Sequence, residues 1–164
     1  VIYQDFSLFP NLTVAENLIL ENHSSSEFHR YGLMKSGKIN QFSEDLIRAY
    51  GILTAGRDAV TKSLSGGNLQ KVMLARELAG SPTVVVASQP TRGLDVGAMA
   101  YIHQRILQER ERGAGILLIS EDLDEIFALS DRIAVLFEGI IMGEALGEQA
   151  SREQIGLWMS GVEK

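Results

Sequence analysis

Leu64-Ser65-Gly66-Gly67-Asn68-Leu69-Gln70 reads as a Ser-Gly-Gly turn that opens an amphipathic helix. Two adjacent glycines let a backbone approach an anion with no Cβ in the way. Downstream, Leu69, Val72, Met73 and Leu78 recur about every three to four residues, the period of a half-buried helix. Such a helix directs its unpaired N–H groups and the positive end of its dipole at the turn. Ser65 can cap the helix and can also offer its hydroxyl to a phosphate oxygen. On these residues alone, a plain capped helix after a glycine turn remains equally open.

Working outward, the chain changes character near Ser81-Pro82, so residues 1–81 and 82–164 are expected as two parts. The first part reads as mostly helical. Leu12 to Leu20 opens with Thr13 and Glu16 in capping-box spacing. Residues 22 to 40 read as a polar loop, Phe42 to Tyr50 as a second helix, and Gly66 to Ala79 as the helix of the decisive stretch. The second part alternates: strand Thr83–Ala87, helix Val96–Arg112, strand Ile116–Ser120, helix Leu123–Leu129. Strands Ile133–Phe137 and Ile140–Gly143 then flank a Glu138-Gly139 turn. A final helix over Ser151–Met159 places Ile155, Trp158 and Met159 on its apolar side. Short apolar strands alternating with helices predict an α/β fold with a parallel sheet covered on both faces.

Composition narrows the function. With 164 residues and 45% hydrophobic content the chain can bury a core. A net charge of −6 argues against a nucleic-acid partner. Zero cysteines exclude a disulfide or thiolate metal framework, and His23, His29 and His103 share no ligand spacing. The apolar runs fall far short of the ~18 residues of a membrane span, so a membrane link must pass through a partner. A start at Val1 inside an apolar stretch, with no methionine, reads as a fragment.

The heptad and the order of motifs around it resemble ATP-binding cassette (ABC) proteins over essentially the whole chain. The heptad matches their signature motif, with Lys71 continuing the helix. In that family ATP lies between two cassettes, and the signature of one touches the γ-phosphate held by the other. The resemblance therefore implies a P-loop NTPase-like core with a helical subdomain, and an ATP contact in trans from Leu64, Ser65, Gly66, Gly67, Asn68 and Gln70. Gln4, followed by Asp5-Phe6-Ser7-Leu8-Phe9-Pro10, is similar to the glutamine loop that reaches Mg²⁺ or the attacking water. Gly32-Leu33-Met34-Lys35-Ser36-Gly37-Lys38-Ile39 mimics a phosphate-binding loop. Ile39, however, replaces the Mg²⁺-holding hydroxyl, no strand precedes it, and it follows the glutamine loop. It is read as a chance match in a surface loop. The Walker A loop and the first strand are expected upstream of residue 1.

Two departures from the family pattern are informative. After the strand at residues 83–87, the usual Asp-Glu-Pro-Thr is replaced by Ser88-Gln89-Pro90-Thr91. Neither Ser88, at the metal-supporting position, nor Gln89, at the catalytic position, carries the charge to hold Mg²⁺ or accept a proton. Asp95 then stands at the D-loop position, where capping the helix from Val96 is an equal alternative. At the position of the switch histidine stands Glu121, in an acidic run suited to a helix N-terminus.

An intact signature beside an altered catalytic strand resembles the second, degenerate cassette of importers for simple sugars and nucleosides. That resemblance implies an ATPase subunit using ATP and Mg²⁺, peripheral on the cytoplasmic face of the cell membrane. Its partners would be a second cassette, a membrane permease and, indirectly, a substrate-binding protein. The piece in hand would be inactive alone. Two alternatives stay open: a non-hydrolysing ATP-binding regulatory module, and a soluble ABC ATPase of translation or DNA repair.

Overall fold

The computed structural model describes residues 1–3, 7–22, 25–26, 28–30 and 33–162. Gln4, Gly32 and His23 lie outside the described residues. The chain packs as two compact units, Val1–Leu117 and Leu118–Lys164. That division lies downstream of the change in element type near Ser81-Pro82.

In the first unit, β1 (Ile2–Tyr3) pairs in parallel with β4 (Val84–Ser88), Ile2 opposite Ala87, and β5 (Gly115–Ile119), whose last two residues fall past the division, completes the order β1-β4-β5. Between β1 and β4 come α1 (Val14–Ile19), a two-stranded ladder of β2 (His29–Arg30) and β3 (Leu33–Met34), α2 (Ser36–Ala49) and α3 (Gly66–Leu78). After β4 comes α4 (Val96–Glu111). Val14, Leu18, Val72, Met73 and Leu74 are buried where α1 packs on α3, and α3 lies against β1.

α1 forms as the sequence demands. The Thr13 hydroxyl accepts the Glu16 N–H at 3.2 Å, while the Glu16 carboxylate accepts the Thr13 N–H at 2.7 Å. Fully buried Asn17 has its side chain satisfied by Phe9, Thr13 and Thr61, which pins the approach to α1.

Three expectations are corrected. α2 begins at Ser36, not Phe42, because the Phe42 ring packs edge-on against Phe28 at 5.0 Å and holds the first turns that composition made loop-like. Part of the phosphate-loop mimic is thereby helix. Within this chain the sheet is not covered on both faces: Val85 and Ala87 are buried, but Val84 and Leu117 are exposed. The third correction concerns the C-terminal strand and helix.

The second unit holds α5 (Leu123–Leu129), the antiparallel pair β6 (Arg132–Phe137) and β7 (Ile140–Leu146), and α6 (Arg152–Met159). Its core is Ile133, Val135 and Ile155, with Phe127 and Trp158 packed against them. β7 runs past Gly143 to Leu146. Gly143 is there not to end the strand but to admit Trp158, since a Cβ would collide with the indole. Met159 is exposed because Ile155 and Trp158 occupy the apolar side of α6. No helix among the described residues is long and apolar enough to cross a membrane.

Candidate functional site

The decisive heptad forms the exposed N-terminus of α3. Ser65 sits at the N-cap in extended backbone (φ −67°, ψ 157°), yet its hydroxyl accepts no helix N–H. Instead it accepts from the Asn68 side-chain amide at 2.9 Å. The Ser65 carbonyl takes the N–H groups of Asn68 and Leu69, both at 2.9 Å. Gly66 and Gly67 N–H have no acceptor among the described residues, and no acidic residue lies in the first turn.

A Cβ built on Gly66 or Gly67 meets nothing within 4 Å, and neither residue has positive φ. Among the described residues nothing gives these glycines a steric or conformational use. Each costs a helix roughly 1 kcal/mol against alanine. What they supply is two bare N–H groups at the positive end of the dipole, open to an anion.

The rest of α3 is held from several sides. The half-buried Asn68 also accepts the Leu53 N–H at 2.8 Å. Gln70 is buried and donates to the Pro90 carbonyl at 3.4 Å, so it faces inward while Ser65 and Gly66 are exposed. Leu64 is half-buried, its N–H given to Thr61. Buried Arg76 donates to the Ser7 carbonyl at 2.9 Å and pairs with Glu77 at 2.8 Å.

A hollow of about 310 Å³ separates the start of α3 from that of α4, lined in part by Gly67, Asn68, Lys71, Asp95 and Ala98. There Asp95 caps α4, its Oδ1 accepting the Ala98 N–H at 2.9 Å. In the second unit Asp122 caps α5 the same way, accepting from Asp124 at 2.8 Å, and exposed Glu121 stands just before it.

The strand that the family resemblance marks as catalytic, β4, ends on uncharged side chains. Ser88 ends β4 opposite Tyr3, and Gln89 follows at φ +50°, a left-handed conformation uncommon outside glycine and asparagine. Pro90 and Thr91 are buried, and the turn passes through Gly93 at φ +78°. A hydroxyl and a neutral amide make a poor Mg²⁺ site. Among the described residues no group of three His, Asp or Glu could hold a metal.

One cluster escaped the sequence. The C-terminal carbonyls of α2 are met by three groups from α3 and α4: Arg105 donates to Ala49 at 2.5 Å, Tyr101 to Tyr50 at 2.9 Å, and Lys71 to Gly51 at 2.9 Å. The Arg105 guanidinium lies 4.4 Å over the Tyr50 ring and Lys71 5.1 Å over Tyr101. Burial pushes both phenols up, while Arg105 pulls them back. The available signal was the i, i+4 pair Tyr101 and Arg105, which names a helix face but not what covers it.

Comparison with known proteins is specific. A family model described as ABC transporter matches residues 1–92. The nucleoside import ATP-binding protein NupA of Lactococcus lactis subsp. cremoris is 43% identical over 150 residues, 92% of this chain and 30% of that protein. The glucose import ATP-binding protein TsgD13 of Haloferax volcanii is 43% identical over 153 residues, 92% of this chain and 28% of that protein. The chain thus spans about 30% of the length of the curated relatives it matches. Among solved structures, a dimeric post-hydrolysis state of the ATP-binding cassette MJ0796, bound to ADP and Pi, superposes with a TM-score of 0.70 at 27% identity. That match covers 88% of this chain and 61% of the other.

Proposed function

This chain belongs to the ABC transporter family, and on that premise we propose that it is the ATP-binding component of an importer for a simple sugar or a nucleoside. One observation carries the proposal: α3 begins with bare N–H groups on two glycines that the fold itself does not need, beside an exposed serine hydroxyl. Ser65, Gly66 and Gly67 are the groups that receive the γ-phosphate of an ATP held by a second cassette. Asn68 and Gln70, both tied to protein groups, set the position of that end, with Leu64 behind it.

Dimeric MJ0796 and the import proteins NupA and TsgD13 support pairing of two cassettes and a role in uptake. The resulting clamp closes on ATP and reopens on hydrolysis, and the helical part passes the motion to a membrane permease fed by a substrate-binding protein. The subunit sits on the cytoplasmic face of the membrane as a peripheral component.

Ser88 and Gln89 do not fit the Mg²⁺ that accompanies ATP, so no metal-assisted step is placed on this cassette's own strand. Gln4 and Asp95 stand as its glutamine-loop and D-loop residues. The two composite sites of the pair are unequal: the one this signature completes turns over, and the one built on β4 holds ATP and turns over poorly. The neutral Ser88-Gln89 pair and Glu121 favour a second reading, a regulatory module that binds ATP without hydrolysis.

ATP hydrolysis by the complete ATP-binding subunit separates the two. Gly67→Asp is expected to abolish turnover and Gln89→Glu to leave or raise it. If the wild type shows no turnover and neither change matters, the regulatory module is the better description.

A further inference from the structure

We propose that Asn68 is a positioning residue that holds the Ser65 hydroxyl as a hydrogen-bond donor toward the incoming phosphate; this rests on the reading that α3 receives one. The amide of Asn68 can sit only one way round. The Leu53 N–H can only donate, so Oδ1 must face it, at 2.8 Å. The amide nitrogen is thereby turned to Ser65, 2.9 Å from Oγ. That nitrogen's lone pair is delocalised into the amide and does not accept, so the hydroxyl oxygen accepts and its single proton is left over. Among the described residues no acceptor takes that proton, and Ser65 is exposed.

An ionised phosphate oxygen accepts and does not donate, so this is the orientation it needs. Accepting one hydrogen bond also makes a hydroxyl a better donor of the next. The anchor lies in the helical part: the Ile52 N–H is given to Ile47 in α2 at 3.0 Å, and buried Ile52 holds Leu53 in place. The arrangement explains why the N-cap serine does not cap. A serine bonded to its own helix would spend one of the first-turn N–H groups that an anion could otherwise use.

The test is the cost of Ser65→Ala in the complete ATP-binding subunit, measured in three backgrounds: wild type, Asn68→Asp and Asn68→Ala. Asn68→Asp keeps the oxygen that Leu53 requires and adds an acid to the first turn, so the melting temperature should hold or rise. Its second oxygen, however, accepts the Ser65 proton and turns the donor inward. Each cost compares two proteins alike at position 68, so the additive part of the new charge's effect cancels, and the uncharged Asn68→Ala background controls for the remainder. In the wild-type background Ser65→Ala is expected to raise the ATP concentration for half-maximal turnover about tenfold. In either Asn68 variant the same change should raise it less than about twofold. Equal costs in all three backgrounds overturn the role of Asn68 and leave the function standing. No cost in the wild-type background, together with an active Gly67→Asp variant, removes the phosphate-receiving end itself. If Asn68→Ala does not fold, Asn68→Asp decides alone.

Discussion

α3 and α4 begin on opposite sides of one hollow and are started in opposite ways. At α4, Asp95 lays its carboxylate on the Ala98 N–H, and a Cβ on Gly97 would come within 3.3 Å of that carboxylate. The end is occupied by the chain's own anion. At α3 the first turn carries no acid, the capping hydroxyl is turned away, and two glycines face open space. One N-terminus is finished by the fold, and the other, on the proposed function, is left for something that arrives charged. On that reading function has a local cost in stability, since an uncapped, glycine-rich start forgoes about 1 kcal/mol for the cap and about as much for each glycine.

The sharpest way to break the contrast is to finish α3 as α4 is finished. Ser65→Asp should cap the helix and raise stability by about 1 kcal/mol in denaturant melts. In the complete subunit the same change should lower ATP turnover about a hundredfold or more, because the anion site is filled from within. Turnover that survives a capped α3 would show that its N–H groups are not used.

A smaller change sharpens the contrast. Gly67→Ala meets no neighbour and should stabilise by about 1 kcal/mol, with the ATP requirement rising about tenfold as the Cβ intrudes on the approach. If alanine destabilises instead, the glycine has a structural task and the argument from open space falls.

The smallest effect lies at α1, where a third device is used. The Thr13 N–H and hydroxyl both donate to the Glu16 carboxylate and hold its pKa below the ordinary value. A depressed carboxyl contributes stability above its unfolded pKa, and loses it as pH falls through the folded one. Wild type should exceed Glu16→Gln near neutrality by less than about 1 kcal/mol, because the pair is exposed and screened. The two should converge in acid below the depressed pKa. A difference that is constant with pH would assign the effect to packing.

Most of the architecture was legible because it rests on local rules. Thr13 and Glu16 announced α1, Gly66 announced α3, and the apolar runs at 83–87 and 116–120 announced strands within one residue of their observed ends at 84–88 and 115–119. Reading failed where a distant group overrode composition. Ser36-Gly37-Lys38 looks like loop, yet packing of Phe28 on Phe42 makes it helix. Gly143 looks like a strand end until Trp158 is laid over it. Tyr101, Arg105 and Lys71 carried no motif, because their task is to meet carbonyls of α2 some 20 to 56 residues earlier in the chain.

By itself the sequence determined the family, the α/β alternation and the loss of charge at Ser88 and Gln89, because each depends on residue identity at a fixed spacing. Only the tertiary structure decided which polar groups are used inside the protein and which remain for a ligand. Gln70 and Asn68 read as members of one motif with Ser65. Folding turns Gln70 onto Pro90 and Asn68 onto Leu53, and leaves one serine proton and two glycine N–H groups facing out. A hydrogen bond needs its partner within about 3 Å, and which groups come that close is settled by packing, not by order along the chain.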